Sequence, residues 1–192
     1  MQKRGSVPLL RPSPAKAVWN AYVAGRREMI EIDRSPTGLP EALPERLYVL
    51  QLDDIAAGHG LAAAKPNAWR FYAGTLHDTA IAINVGEPAR GKTARMTSLS
   101  HGHYVQKVFK EVRAVEQLPQ VKRHNYELRR LKIPAIMGAF WLASPTDSGD
   151  LVVPYSILIH GFKKMKVYRA EAFLTLLRPY AQRRARASDR PK

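Results

Sequence analysis

The chain has 192 residues, 45% of them hydrophobic and 24% charged, and contains no cysteine. That length and composition suit one packed domain and exclude disulfides, thiolate metal sites and thiol nucleophiles, so the fold must rest on packing. The net charge of +15 is the outlier, and it is unevenly placed: residues 89–192 hold 21 basic against 7 acidic side chains, whereas residues 45–88 are net −2 and residues 1–44 net +3.

A field of that sign attracts polyanions, with nucleic acid and an acidic protein surface as the two partner classes. No apolar run approaches the roughly 18 residues of a membrane span, and the stretch Val7–Leu10, interrupted by Pro8, is too short for a signal sequence. A cytoplasmic protein is the expectation.

Residues 1–12 combine Gly5, Pro8 and Pro12 with scattered basic residues and read as a flexible arm. Ser13 followed by Pro14 signals a helix start, and Val18, Trp19, Tyr22 and Val23 give residues 13–34 an apolar helical stripe. Three prolines and Gly38 make 35–44 a linker to a body over 45–182. Within that body, Leu47–Leu52 reads as a strand, and Asp53 or Asp54 as the cap of a small helix running to Ala64. Ala68–Ala73 and Thr79–Val85 form a predicted hairpin with Trp69, Phe71, Ile81 and Ile83 inward, and Thr93–Leu99 is extended.

Gly102–Leu118 is the clearest helix: Tyr104, Val105, Val108, Phe109, Val112 and Val115 follow the 3.6-residue period, Ser98 or Ser100 is placed to cap it, and Pro119 ends it. Residues 125–133, 135–143 and 151–159 are extended, and the middle one is apolar on both faces, which puts it inside a sheet. A closing helix starts near Ala170 with Phe173, Leu174 and Leu177 on one face, and Pro179 is expected to kink or end it. Residues 183–192 read as a disordered basic tail. The pattern predicts an α+β fold, a mostly antiparallel sheet with helices packed on one face and flexible basic termini.

Gly86-Glu87-Pro88-Ala89-Arg90-Gly91-Lys92-Thr93 follows an apolar strand and resembles the Walker A loop of nucleotide-binding proteins. The resemblance implies a backbone cradle at Gly86 and Gly91, phosphate contact from Lys92, and Mg²⁺ held by Thr93, with a nucleotide as cofactor. Such a loop needs a helix starting at Lys92, and Thr93–Gly102 is rich in β-branched and hydroxyl residues that open helices poorly. The alternative is a hairpin turn built on Pro88 and Gly91.

The G-x-S-x-G serine-nucleophile and H-E-x-x-H zinc-protease signatures are absent, and His101 and His103, at i and i+2 on a helix start, do not converge on a metal. The expectation leans away from an enzyme, with no catalytic or metal-ligating residue assigned and no cofactor outside the nucleotide alternative. Basic residues instead recur in clusters. Lys107, Lys110 and Arg113 share a helix flank, followed by Lys122 and Arg123, Arg129, Arg130 and Lys132, Lys163, Lys164 and Lys166, and Arg183, Arg184 and Arg186. If these share one surface they make a salt-sensitive phosphate-tracking patch, with Tyr126, Tyr155 and Tyr168 as stacking candidates. The leading expectation is a basic accessory domain that contacts nucleic acid non-specifically. The alternatives are the nucleotide loop and a module for an acidic protein partner.

Overall fold

The computed structural model describes residues 13–33, 43–73, 81–88, 92–145 and 149–188. The predicted N-terminal arm and most of the predicted linker lie outside that range. Helix α1 (Lys16–Asp33) precedes β1 (Leu43–Val49), α2 (Leu52–Ala56), β2 (Lys65–Ala73), β3 (Ile81–Gly86), β4 (Met96–His101) and α3 (His103–Glu116). Strands β5 (Glu127–Ile133), β6 (Met137–Ala143), β7 (Leu151–Ile157) and β8 (Tyr168–Arg169) then lead into α4 (Ala170–Ser188). The eight strands form one sheet in the order β4-β3-β2-β1-β5-β6-β7-β8. Every neighbouring pair is antiparallel except β1 and β5, which run parallel at the centre with Arg46 beside Arg129. The α+β fold with a mostly antiparallel sheet is therefore as the sequence predicts.

Strand β6 shows how the helices are distributed. Its Phe140 and Leu142 join Val105, Val108, Val112 and Val115 of α3 in one apolar cluster. Its Ala139 and Trp141 join Phe173, Leu174, Leu177 and Ala181 of α4 and Ile55 of α2 in another. Alternate residues of a strand point to opposite faces, so α3 and α4 cover opposite sides of the sheet. This is why β6 is apolar throughout, and it differs from the expected one-sided helical layer. A third cluster packs Val18 and Tyr22 of α1 on Trp69, Phe71, Ile83 and Val85, with Tyr22 stacked on Phe71 at 4.4 Å between ring centroids.

Three local expectations change. Gly102, at φ +86°, precedes α3 without a side-chain cap, so the expected serine caps belong to β4 and a glycine makes the tight strand-to-helix turn. Gln51 precedes α2 without a side-chain cap, and Asp53 and Asp54 lie in the first turn, where their charge favours the helix dipole without capping. Helix α4 continues through Pro179 to Ser188, so Arg183, Arg184 and Arg186 are helical. The helix is held past the proline by buried Leu177 and Ala181, with Gln182 donating to the Ala56 carbonyl, and its Arg/Ala-rich end consists of good helix formers.

Candidate nucleic-acid interface

Helix α3 covers only part of its face of the sheet. Beneath it lie Tyr72 of β2, Ala82 of β3 and Leu128 of β5. Two residues along each strand, on the same face, come Arg70, Asn84 and Arg130. Strand register sets these in a polar row: Ser98 pairs with Asn84, Asn84 with Arg70, and Arg70 with Glu45. Arg70 Nε donates to Asn84 Oδ1 at 2.7 Å, and Asn84 Nδ2 donates to Ser98 Oγ at 2.6 Å.

The row ends at a buried ion pair across the parallel seam. Arg130 Nε donates to Glu45 Oε2 at 2.9 Å, its Nη2 lies 2.8 Å from the same oxygen, and Nη2 also donates to the Tyr72 hydroxyl at 2.6 Å. The side chains of Arg130 and Glu45 are 4% and 1% exposed. The guanidinium is sandwiched by rings, with its carbon 4.9 Å from the Tyr155 centroid, 5.2 Å from Phe140 and 5.7 Å from Tyr72. Burial disfavours the charged guanidinium, but Glu45, Tyr72 and Tyr155 more than offset it, and the Arg130 pKa is raised well above its usual value. Burial likewise pushes the Tyr72 hydroxyl far above the ordinary tyrosine range, against the opposing pull of Arg130. One donor of this network is unused: Arg130 Nη1 is buried and has no hydrogen-bond partner among the described residues. Leaving such a donor unsatisfied costs about 1–3 kcal/mol or more for a charged group.

Beside this row lies an open cleft of about 450 Å³. Arg70, Arg130 and Lys132 line it together with Asn84, Tyr104 and Tyr155, and among the described residues the lining contains no carboxylate. Gly138 lets the Tyr155 ring lie against β6, since a Cβ there would collide with that ring. Tyr104, exposed in the first turn of α3, carries the cleft toward Lys107 one turn further on.

The opposite face holds its cations differently. Arg129 packs over Trp141 at 4.7 Å and Tyr48 at 5.3 Å, and Arg46 over Trp69 at 5.5 Å and Tyr48 at 5.6 Å. Each is neutralised by a carboxylate at 2.6 Å, Glu127 for Arg129 and Glu87 for Arg46.

The sequence-predicted basic clusters therefore do not share one surface. Arg129 and Arg130, adjacent in β5, point to opposite faces, and only Arg130 reaches the cleft. Lys107, Lys110 and Arg113 are exposed on α3, and Lys122 and Arg123 follow it in a short turn whose Val121 packs in the α3 cluster. Arg183, Arg184 and Arg186 are exposed on α4, on the far side of the sheet. The 163–166 loop divides: Lys164 pairs with Glu111 of α3 at 2.7 Å, Lys163 is exposed, and Lys166 lies 5.2 Å from the Tyr168 ring on the α4 side. Tyr126 and Tyr168 are buried and Tyr155 is partly buried, so of the three stacking candidates only Tyr155 faces the cleft.

The Walker-like segment closes a hairpin. Strands β3 and β4 pair antiparallel, Gly86 N–H donates to the Arg95 carbonyl, and residues 92–95 run without helix into β4. Lys92 and Thr93 are exposed on that return arm, and Gly91 lies outside the described residues. The helix N-terminus required for a phosphate loop is not at Lys92, which corrects the nucleotide alternative.

Among the described residues no group of three or more His, Cys, Asp or Glu is placed to hold a metal, and no helix is long and apolar enough to cross a membrane. The sequence reading missed Arg70, Tyr104 and Glu45 as parts of the site, whereas it included Lys132 in the β5 basic cluster. No protein-family model matches the chain, and neither curated proteins nor solved structures give a match.

Proposed function

We propose that this protein is a nucleic-acid-binding domain that uses the α3 side of its sheet. The observation that carries the reading is that three cations and two tyrosines line the cleft, with no carboxylate among the described lining residues. Cations that track phosphates and aromatic rings that accept stacked bases are the two requirements for sequence-tolerant binding of a single strand. Lys107, Lys110 and Arg113 extend the positive surface along the helix beside the cleft. Acidic residues on or beside this face are engaged, Glu45 by Arg130, Glu111 by Lys164 and Glu116 by Arg113. Binding is driven by counterion release and reads strand chemistry and shape without base specificity.

The test is fluorescence anisotropy of labelled single- and double-stranded oligonucleotides at ~50 and ~200 mM salt. Two triple variants separate the faces: Lys107→Ala/Lys110→Ala/Arg113→Ala on α3 and Arg183→Ala/Arg184→Ala/Arg186→Ala on α4. The expected result is binding that weakens steeply with salt, a shallower salt slope in the α3 variant, and little change in the α4 variant. Loss confined to the α4 variant assigns binding to the wrong face here, and no binding at low salt overturns the proposal in favour of an acidic protein partner.

A further inference from the structure

We propose that the cleft contains a discrete subsite for a phosphomonoester, the terminal phosphate of a nucleotide or of a strand end, with Arg70, Arg130 and Lys132 as its cationic ligands. The inference rests on the same cleft as the nucleic-acid reading and narrows it to one chemical group.

The cleft volume of about 450 Å³ lies within the ~300–1,000 Å³ typical of small-ligand sites, so it suits one nucleotide-sized group. The local charge selects the ligand further. Glu45 neutralises one of the three cations from beneath the cleft, and the described lining residues include no carboxylate. Two positive charges then match a phosphomonoester, which carries about −1.5 to −2 at neutral pH, better than the single charge of an internal phosphodiester.

Arg130 adds a donor. Glu45 and Tyr72 fix the guanidinium through Nε and Nη2, while its Nη1 is buried without a partner among the described residues. A guanidinium held by its own second layer of contacts is preorganised for an oxyanion, and the free amino group is the one a ligand oxygen can complete. Because Nη1 is sealed from solvent, a ligand oxygen reaches it by displacing a covering side chain. Tyr155 is the candidate, since it is stacked on the guanidinium at 4.9 Å, is only partly buried and lines the cleft. Lys132 is exposed two residues along β5, on the same face, and makes the outer contact.

Isothermal titration with AMP and with adenosine, at ~50 mM salt, measures the role of the phosphate directly. Labelled single strands with and without a 5′-phosphate provide the strand-end arm. The expected result is that AMP binds and adenosine does not, that AMP displaces the 5′-phosphorylated strand, and that Lys132→Ala weakens AMP roughly tenfold while Lys110→Ala does not. Lys132 is exposed, so the variant should fold, and its melting curve checks this. If both strands bind equally and AMP neither binds nor competes, the subsite is wrong and the nucleic-acid reading stands. If AMP binds in a Lys132-dependent way but no strand binds, the subsite stands with a free nucleotide as its ligand and the nucleic-acid reading fails. AMP binding that is indifferent to Lys132→Ala also overturns the subsite.

Discussion

Replacing Glu45 by Gln tests whether the seam at the centre of the sheet is held as described. The carboxylate is 1% exposed and one of its oxygens lies within 2.9 Å of both Nε and Nη2 of Arg130, itself 4% exposed. Glutamine keeps an acceptor of nearly the same shape but removes the charge. Arginine does not deprotonate to relieve the loss, so the guanidinium is left buried without a counter-charge. Breaking a buried pair in this way costs about 3–5 kcal/mol. Glu127→Gln is the control, because its pair with Arg129 has a comparable 2.6 Å contact but side chains 32% and 26% exposed, where an ion pair contributes up to about 1 kcal/mol. Urea unfolding followed by the fluorescence of buried Trp69 and Trp141 reads both variants. With a slope of about 1–3 kcal/mol/M, Glu45→Gln moves the midpoint down by roughly 1 M or more, and Glu127→Gln by much less. Equal small shifts refute the reasoning. A double Glu45→Leu/Arg130→Met variant should lose less stability than Glu45→Gln, since the uncompensated charge is gone.

Two further outcomes follow from the same network and from its neighbour. The Tyr72 pKa is raised on folding, so the folded state holds a proton that the unfolded chain releases near pH 10; stability is full below that pH and falls as pH rises above it, by up to about 1.4 kcal/mol per pH unit. Tyr72→Phe should flatten that alkaline loss in denaturation curves taken from pH 8 to 11, and an unchanged slope would assign it to other groups. Asp150 accepts from Trp141 Nε1 at 2.7 Å and from the Ser144 amide at 2.9 Å, tying the β6–β7 connection, so Asp150→Ala should destabilise by about 1.5–3 kcal/mol in thermal melts. A loss under half a kcal/mol would show that neither bond matters.

The elements that sequence periodicity reveals are those whose apolar residues have a single place to go. The valines of α3 were legible because that helix buries one face, whereas β2 and β3 bury residues on both, Tyr72 and Ala82 under α3 and Trp69, Phe71 and Ile83 under α1. The site was less legible because it consists of polar residues on inward-facing strand positions. Arg129-Arg130 looks like one basic cluster, yet in a strand adjacent side chains must diverge, and that rule alone separates the two. Glu45 and Arg130 meet only through the β1–β5 pairing, 85 positions apart, which no local pattern announces. The signal that was available is the position of Arg130 two residues from Leu128, on the strand face that Leu128 buries under α3.

The lone parallel pairing divides the sheet into two antiparallel meanders, β1–β4 and β5–β8, each built from sequence neighbours. Contacts inside each meander close short loops, whereas their union must close a long one, so the halves are expected to form early and dock late. Glu45, Arg70 and Asn84 come from one half, and Arg130, Lys132 and Tyr155 from the other. The cleft thus has no existence in either half alone. A ligand that occupies it adds its binding energy to the docking step, and its dissociation constant becomes a gauge of how firmly the two meanders hold together.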